Sequence, residues 1–142
     1  SRIFDGTEFS PLERQVVQVT VSIENACHFC VAAHSAAAAA EGLDASVIEA
    51  VRNNQRIADP RLEALRVFTR RMAQQRGFVS DTDVSVFLNA GWEKAAILGV
   101  VLGIALKTMS NYANHVAETP LNTAYKPFAW APCTRACGAG DA

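Results

Sequence analysis

Signals that begin and end α-helices recur along the whole chain. Ser10-Pro11-Leu12-Glu13 combines an N-cap serine, a proline at the first helical position and a glutamate that completes a capping box. Asp59-Pro60 and Ser80 begin further helices, which Gly77 and Gly91 end. We therefore predict an all-α, compact domain of about six helices. It spans residues 1–142, with an N-terminal arm over 1–9 and a flexible tail over 131–142.

Two segments need more than their caps to be interpreted. The stretch after Ser10 is rich in β-branched residues, such as Val17, that also favour strands, and we assign it to a helix because of the capping box. The last long helix is expected to run from about Glu93 to Glu118. It carries Ala95, Gly99 and Gly103 at intervals of four, which predicts a groove where another helix packs closely.

Charge and hydropathy restrict the class of partner. The net charge is -1, and no cluster of lysine and arginine provides a surface for nucleic acid or an anionic membrane. No signal peptide is evident, and the longest apolar run, residues 95–106, is too short to span a bilayer. We expect a cytoplasmic protein whose partners are small molecules or other proteins.

The stretch from Glu24 to His34 carries the candidate chemistry. If it is helical from Cys27 to about residue 40, the spacings of three and four place Cys27, Cys30 and His34 on one side of the helix. The positive end of the helix dipole favours a thiolate over a thiol. One cysteine can then attack an oxidant and the other can resolve it as a disulfide. We interpret this stretch as a redox centre.

Zinc binding is an alternative function for the same residues. Cys-x-x-Cys and His34 could supply three ligands, with His115, Cys133 or Cys137 as the fourth. Structural zinc sites usually lie on loops, whereas the alanine-rich continuation predicts that Cys30 and His34 lie in a regular helix. We therefore expect neither a metal nor an organic cofactor. Two buried core cysteines beside a core histidine would be the least specific interpretation.

Three motifs together resemble a known family. They are Ser10-Pro11-Leu12-Glu13-Arg14, Cys27-His28-Phe29-Cys30 with His34, and Ser110-Asn111-Tyr112-Ala113-Asn114-His115 followed by Thr119-Pro120. From about Ser10 to Trp130 the chain resembles the alkylhydroperoxidase D and carboxymuconolactone decarboxylase family. The resemblance implies an all-helical, usually trimeric or hexameric protein. The dithiol with its histidine is similar to the peroxidase branch of that family.

The resemblance also implies roles for individual residues. Cys30 would attack a hydroperoxide, Cys27 would form the disulfide and receive electrons from an external dithiol (a protein or a lipoyl-type group), and His34 would move protons. The chain departs from the family pattern at Gln15, where the peroxidase has a glutamate. It departs again at Phe29, where the peroxidase has a histidine.

Several other residues are candidates for supporting roles. Glu24 precedes Cys27 by three residues and could act as a base, although a carboxylate at a helix end pointing into water is the competing interpretation. His28 is expected at the rim, and His115 in packing or an interface. The sequence thus predicts a thiol-dependent peroxidase or dithiol oxidoreductase that forms a homo-oligomer. The alternative is a non-catalytic redox-sensing or zinc-binding helical module.

Overall fold

The computed structural model describes residues 2–132, which contain helices and no strand. The α-helices are α1 (Arg2–Asp5), α2 (Pro11–Glu24), α3 (His28–Ala40), α4 (Ala45–Arg52), α5 (Pro60–Gln74), α6 (Asp81–Asn89) and α7 (Lys94–Val116), and a 3-10 turn spans Lys126–Phe128. Helix α1 is a single turn, so six longer helices remain. The predicted all-α domain is confirmed.

The predicted caps form as expected. Ser10 and Ser80 each make a complete capping box, with Glu13 and Asp83 as the acidic partners. Asp59 accepts hydrogen bonds from two backbone N–H groups in the first turn of α5. These contacts satisfy donors that a helix start leaves without an intrahelical partner. Local sequence therefore determines where these helices begin.

Helix α2 lies at the centre of the domain, where α3, α4, α5 and α7 pack against it. Val16, Val17, Val19 and Val21 point in different directions around it, and each is fully buried. A helix that is apolar on nearly every side is typical of a buried core position. The same enclosure explains why this segment resembles a strand in sequence although it is helical.

The N-terminal arm docks on the domain through two buried aromatic side chains. Phe4 and Phe9 are 2% and 3% exposed, and their rings meet edge to face. They occupy the groove made by the glycines of α7, which the sequence analysis assigned to a helix. A Cβ atom at Gly99 would lie 2.8 Å from the Phe9 ring, and one at Gly103 would lie 2.5 Å from Val17 on α2. The groove thus receives two aromatic rings as well as a neighbouring helix.

The segment after α7 returns to the start of α3. Arg52 donates to the carbonyl oxygens of Phe128 and Ala129, and the indole N–H of Trp130 donates to the carbonyl of Arg52 at 3.0 Å. These bonds fix the chain as far as Trp130. Cys133, Cys137 and most of the predicted tail lie outside the described residues.

Helix α7 is unusually long and apolar for this domain. At 23 residues it is the one described helix long and apolar enough, by length and composition, to cross a membrane. The apolar run of residues 95–106 is too short to cross a membrane by itself, but it lies within a helix of 23 residues that is long enough. A core helix passes the same test, and α7 packs on α2 with Lys107 and Asn111 buried. This composition is consistent with its place in the domain.

We predict that Gly103→Ala destabilises the domain. The added methyl group would overlap Val17 and press on Phe4, and overpacking costs about 1–3 kcal/mol, against about 1 kcal/mol gained in helix propensity. Urea unfolding would measure the net loss. Because Val17→Ala makes room, the double variant should be more stable than the sum of the two single losses predicts. Strict additivity would contradict this close approach.

Candidate functional site

The backbone between α2 and α3 places both cysteines at one helix end. Ala26 has a φ of 52°, which turns the chain sharply after α2, and the Cys27 N–H donates to the Ser22 carbonyl at 2.8 Å. Cys27 is the N-cap of α3, and Cys30 lies in its first turn. The pair therefore lies at the positive end of a helix, as predicted. The helix itself begins at His28, one residue later than expected.

Burial changes the expected chemistry of Cys27. Cys27 and Cys30 are both free thiols, 1% and 3% exposed. Burial, followed by the hydrogen bond with Cys30, raises the pKa of Cys27 to about 11. The expectation that the helix dipole makes this sulfur a thiolate is therefore wrong for Cys27, because loss of solvent outweighs the dipole. In the folded protein Cys27 is a protonated thiol at neutral pH.

His34 lies between two side chains from other helices. Its Nδ1 is 3.0 Å from Oε1 of Gln15 on α2, and its Nε2 is 2.7 Å from Nζ of Lys107 on α7. Because the amide oxygen and the amine are an acceptor and a donor, Nδ1 carries the hydrogen and Nε2 accepts. Burial, followed by the Lys107 charge, lowers the pKa of His34 to about 3. His34 is therefore a neutral imidazole with both nitrogens engaged.

Lys107 is the residue that the sequence analysis did not single out. Its side chain is 5% exposed although it lies on a largely apolar helix, and burial lowers its pKa. The charges of Cys30 and Cys27 act on it in the opposite direction. A detectable signal was present, since Lys107, Asn111 and Asn114 are spaced by four and three residues and form a polar stripe.

The two asparagines of this stripe hold the site together. Asn114 donates from Nδ2 to the sulfur of Cys30 at 3.3 Å and to the Ser110 carbonyl at 2.9 Å. Asn111 is fully buried, donates to Ser22 at 3.3 Å and accepts from Asn25 at 3.0 Å. Helix α7 is thereby fixed against the α2–α3 corner that carries the cysteines. The sequence motif around Asn111 and Asn114 supports the dithiol directly.

The remaining candidates lie away from the sulfurs. Glu24 pairs with Arg70 at 3.1 Å and accepts from Gln74 at 2.9 Å, so it is held by α5. His28 is exposed, and its Nδ1 lies 2.9 Å from the carbonyl oxygen of Trp130. His115 is exposed on α7 and stacks on Tyr112. None of the three has a described hydrogen bond to either cysteine.

Metal ligands do not cluster in the part of the chain that is described. Within residues 2–132 no group of three or more His, Cys, Asp or Glu side chains could hold a metal ion. Both nitrogens of His34, the ligand expected from the sequence, are engaged by Gln15 and Lys107. Cys133 and Cys137, proposed as a fourth ligand, lie outside the described residues.

Comparison with known proteins finds one similar family. The sequence model of the carboxymuconolactone decarboxylase family matches residues 2–70, which include α2 and the complete Cys27-to-His34 stretch. Over this stretch the chain is similar to that family. No protein with a curated description matches the chain.

Two solved structures have the same fold. One is an uncharacterized peroxidase-related protein from Silicibacter sp. TM1040, with a TM-score of 0.74 and 23% identity, covering 84% of this chain and 63% of the other. The chain thus spans less than two thirds of that protein. The second is described as an alkylhydroperoxidase AhpD core from Ralstonia eutropha JMP134, with a TM-score of 0.75 and 20% identity over 87% of this chain and 71% of the other. At these identities the likeness establishes the fold, which is that of alkylhydroperoxidase D.

We predict that acidification destabilises the protein through His34. Since folding lowers its pKa from 6.5 to about 3, the unfolded chain binds a proton below pH 6.5 that the folded chain does not. Stability should therefore fall as the pH drops from about 6.5 to about 3, by up to about 1.4 kcal/mol per pH unit. Urea unfolding between pH 7 and 5 measures this loss of stability. Most carboxylates stay ionised in that range and do not contribute to the change.

Two variants isolate the histidine responsible. His34→Gln should flatten the pH dependence, because the amide has no proton to gain. His115→Gln, at an exposed position, should leave it unchanged. A wild-type protein equally stable at pH 6.5 and pH 5 would show that His34 is not held neutral by burial.

Proposed function

We propose that the protein is a thiol-dependent peroxidase that reduces hydroperoxides through a Cys27–Cys30 disulfide cycle. The observation that carries this proposal is the pair of free cysteines at the start of α3, of which Cys30 accepts a hydrogen bond from Asn114. The charges of both cysteines act on the pKa of Lys107. The match of residues 2–70 to the carboxymuconolactone decarboxylase family, and two proteins of the same fold named as peroxidase-related, support the same class. The substrate, the electron donor and the order of attack are part of the proposal.

The first step takes place at Cys30. Its thiolate attacks the peroxide oxygen, so an S–O bond forms, the O–O bond breaks, and the alkoxide takes a proton and leaves as alcohol. Cys30 is the better nucleophile here because the Asn114 N–H group points at its sulfur and so favours a charged sulfur. The raised pKa of Cys27 keeps that residue protonated.

The second step closes the disulfide. Cys27 attacks the sulfur of the Cys30 sulfenic acid, an S–S bond forms, and the hydroxyl group leaves as water with the Cys27 proton. An external dithiol, either a protein or a lipoyl-type group, then exchanges with the disulfide and is itself oxidised. Two electrons pass from that dithiol to the peroxide in each cycle.

A redox sensor is the second candidate, and one observation favours it. Gln15 stands where the resembling peroxidase has a glutamate and lies against His34, and an amide cannot accept a proton as a carboxylate does. Such a site could oxidise once and turn over slowly. Sustained peroxide consumption in the presence of a dithiol supports the peroxidase, whereas a single stoichiometric oxidation supports the sensor.

We predict distinct outcomes for the two cysteine variants. Cys30→Ser should abolish peroxide consumption, because it removes the attacking sulfur. Cys27→Ser should leave a sulfenic acid at Cys30 that dimedone labels, because no second thiol traps it. Mass spectrometry of labelled peptides identifies the site. Label at Cys27 in the Cys30→Ser protein, with peroxide consumed at the normal initial rate, would reverse the two roles.

We further propose that the protein is a homo-oligomer, a trimer or hexamer by its resemblance. Helix α7 presents a stripe of exposed apolar side chains at spacings of three, four or eight residues, namely Leu98, Val101, Met109, Tyr112 and Val116. The stripe borders a groove of about 400 Å³ between α5 and α7, lined in part by Val101 and Tyr112. A second copy of the chain would bury this apolar surface.

The stripe gives a specific test of assembly. Light scattering should show an oligomer at micromolar concentration, and Leu98→Lys with Met109→Lys should shift it to monomer, because two charges would be buried between subunits. Phe78→Lys is the matched control, since Phe78 is 86% exposed but lies outside the stripe. A wild-type monomer, or equal dissociation by the control, would contradict the proposal.

A further inference from the structure

We propose that Lys107 is the proton carrier of the dithiol site, alternating between ammonium paired with a cysteine thiolate and neutral amine beside the thiol. This inference rests on the proposed redox cycle and adds to it the group that exchanges protons with the sulfurs. Three observations support it: Lys107 is buried, no described carboxylate pairs with its amine, and both nitrogens of His34 are already engaged.

Lys107 has no carboxylate partner. It is buried, and among the described residues no Asp or Glu lies within ion-pair distance of its amine. The groups described around it on α2 and α7, Gln15, Asn111 and Asn114, are uncharged amides. A buried ammonium without an anion is strongly disfavoured. The anions available to it are the thiolates of Cys30 and Cys27, whose charges act on Lys107.

The ion-paired groups described on the helices packed against α7 have partners other than Lys107. On α3, the titratable groups that face Lys107 are His34 and the two cysteines. On α1, α2 and α5 the described ion pairs are Asp5–Arg14, Glu13–Arg61, Glu24–Arg70, Glu63–Arg66 and Arg71 with Asp83 of α6. The protonation of Lys107 is thus tied to the thiols.

His34 cannot perform this task in the arrangement observed. Its Nε2 lone pair already accepts from Lys107, and its Nδ1 hydrogen points to the Gln15 oxygen. An imidazole held neutral in this way orients the amine and does not compete for the proton. His34 is therefore a positioning residue for Lys107, and its contact at 2.7 Å holds the amine against α3, the helix that carries Cys30.

The cycle can be written with every proton accounted for. The Lys107 amine takes the Cys30 proton, which leaves a thiolate and an ammonium. When the thiolate attacks the hydroperoxide, the ammonium gives its proton to the departing alkoxide, so alcohol leaves and the amine is neutral again. The amine then takes the Cys27 proton as the disulfide forms and delivers it to the hydroxide, which leaves as water.

NMR of the unmodified protein tests the coupling without any activity assay. The chain has three lysines, Lys94, Lys107 and Lys126, so lysine labelled with ¹³C at Cε gives few signals, and Lys107→Arg identifies the one of interest. We expect the Lys107 signal to titrate below the other two. Disulfide formation should lower its pKa further, because the thiolates that favour the ammonium are gone. A Lys107 pKa that is the same in the reduced and the disulfide form would overturn the proposal.

Two substitutions of Lys107 separate the effect of its positive charge from its ability to give up a proton. Lys107→Met should move the pH midpoint of iodoacetamide alkylation of the pair upward, since the thiolate loses its cation. Lys107→Arg keeps a permanent charge, so alkylation should stay as fast as in the wild type, whereas hydroperoxide reduction should fall about 100-fold because the guanidinium gives up no proton. Lys94→Met, an exposed lysine of the same helix, is the control.

The outcomes distinguish this inference from the proposed function. A wild-type protein that consumes no hydroperoxide refutes the peroxidase, while alkylation and NMR still test Lys107. An alkylation profile that Lys107→Met leaves unchanged overturns the role of the lysine whatever the activity. If Lys107→Met does not fold, the NMR titration of the unmodified protein decides.

Discussion

The enclosure of helix α2 is the constraint on which the rest of the structure depends. Four other helices pack around it, and its valines are buried on several sides. Because α2 is central, it can contribute Gln15 to His34 on α3 and Ser22 to Asn111 on α7. A site built on three mutually packed helices is positioned more precisely than one built on loops. The fold and the candidate site are therefore one packing arrangement.

Desolvation, more than the helix dipole, governs the chemistry of this site. The dipole at the start of α3 favours a thiolate, but both sulfurs are almost completely buried and the pKa of Cys27 is raised. A nucleophilic thiolate in such a place needs a cation that is equally removed from water. Lys107 is placed to supply that charge, and the same burial lowers its own pKa so that it can return the proton. Because the sulfur and the amine are both buried, their charged forms are both disfavoured, and a proton can pass between them.

Local signals in the sequence were sufficient for the helices and for the dithiol. Ser10, Asp59 and Ser80 act through residues within the next turn, so their effect is visible without tertiary structure. The pairing of His34 with Lys107 joins residues 73 positions apart, and the burial of Phe4 depends on glycines of α7. No periodicity within one segment reports such contacts. The polar stripe on α7 was the available hint, and it became interpretable once α3 was seen to lie against it.

The central claim, that Cys27 and Cys30 form a disulfide at the expense of a hydroperoxide, is tested most directly by counting thiols. Cys133 and Cys137 are first replaced by serine, so that Cys27 and Cys30 are the remaining cysteines. One equivalent of cumene hydroperoxide is then added to the reduced protein, and free thiols are counted under denaturing conditions. The account predicts the loss of both thiols per peroxide and a protein lighter by two hydrogens. Thiols that persist beside unreacted peroxide, or a gain of oxygen without loss of the second thiol, would contradict it.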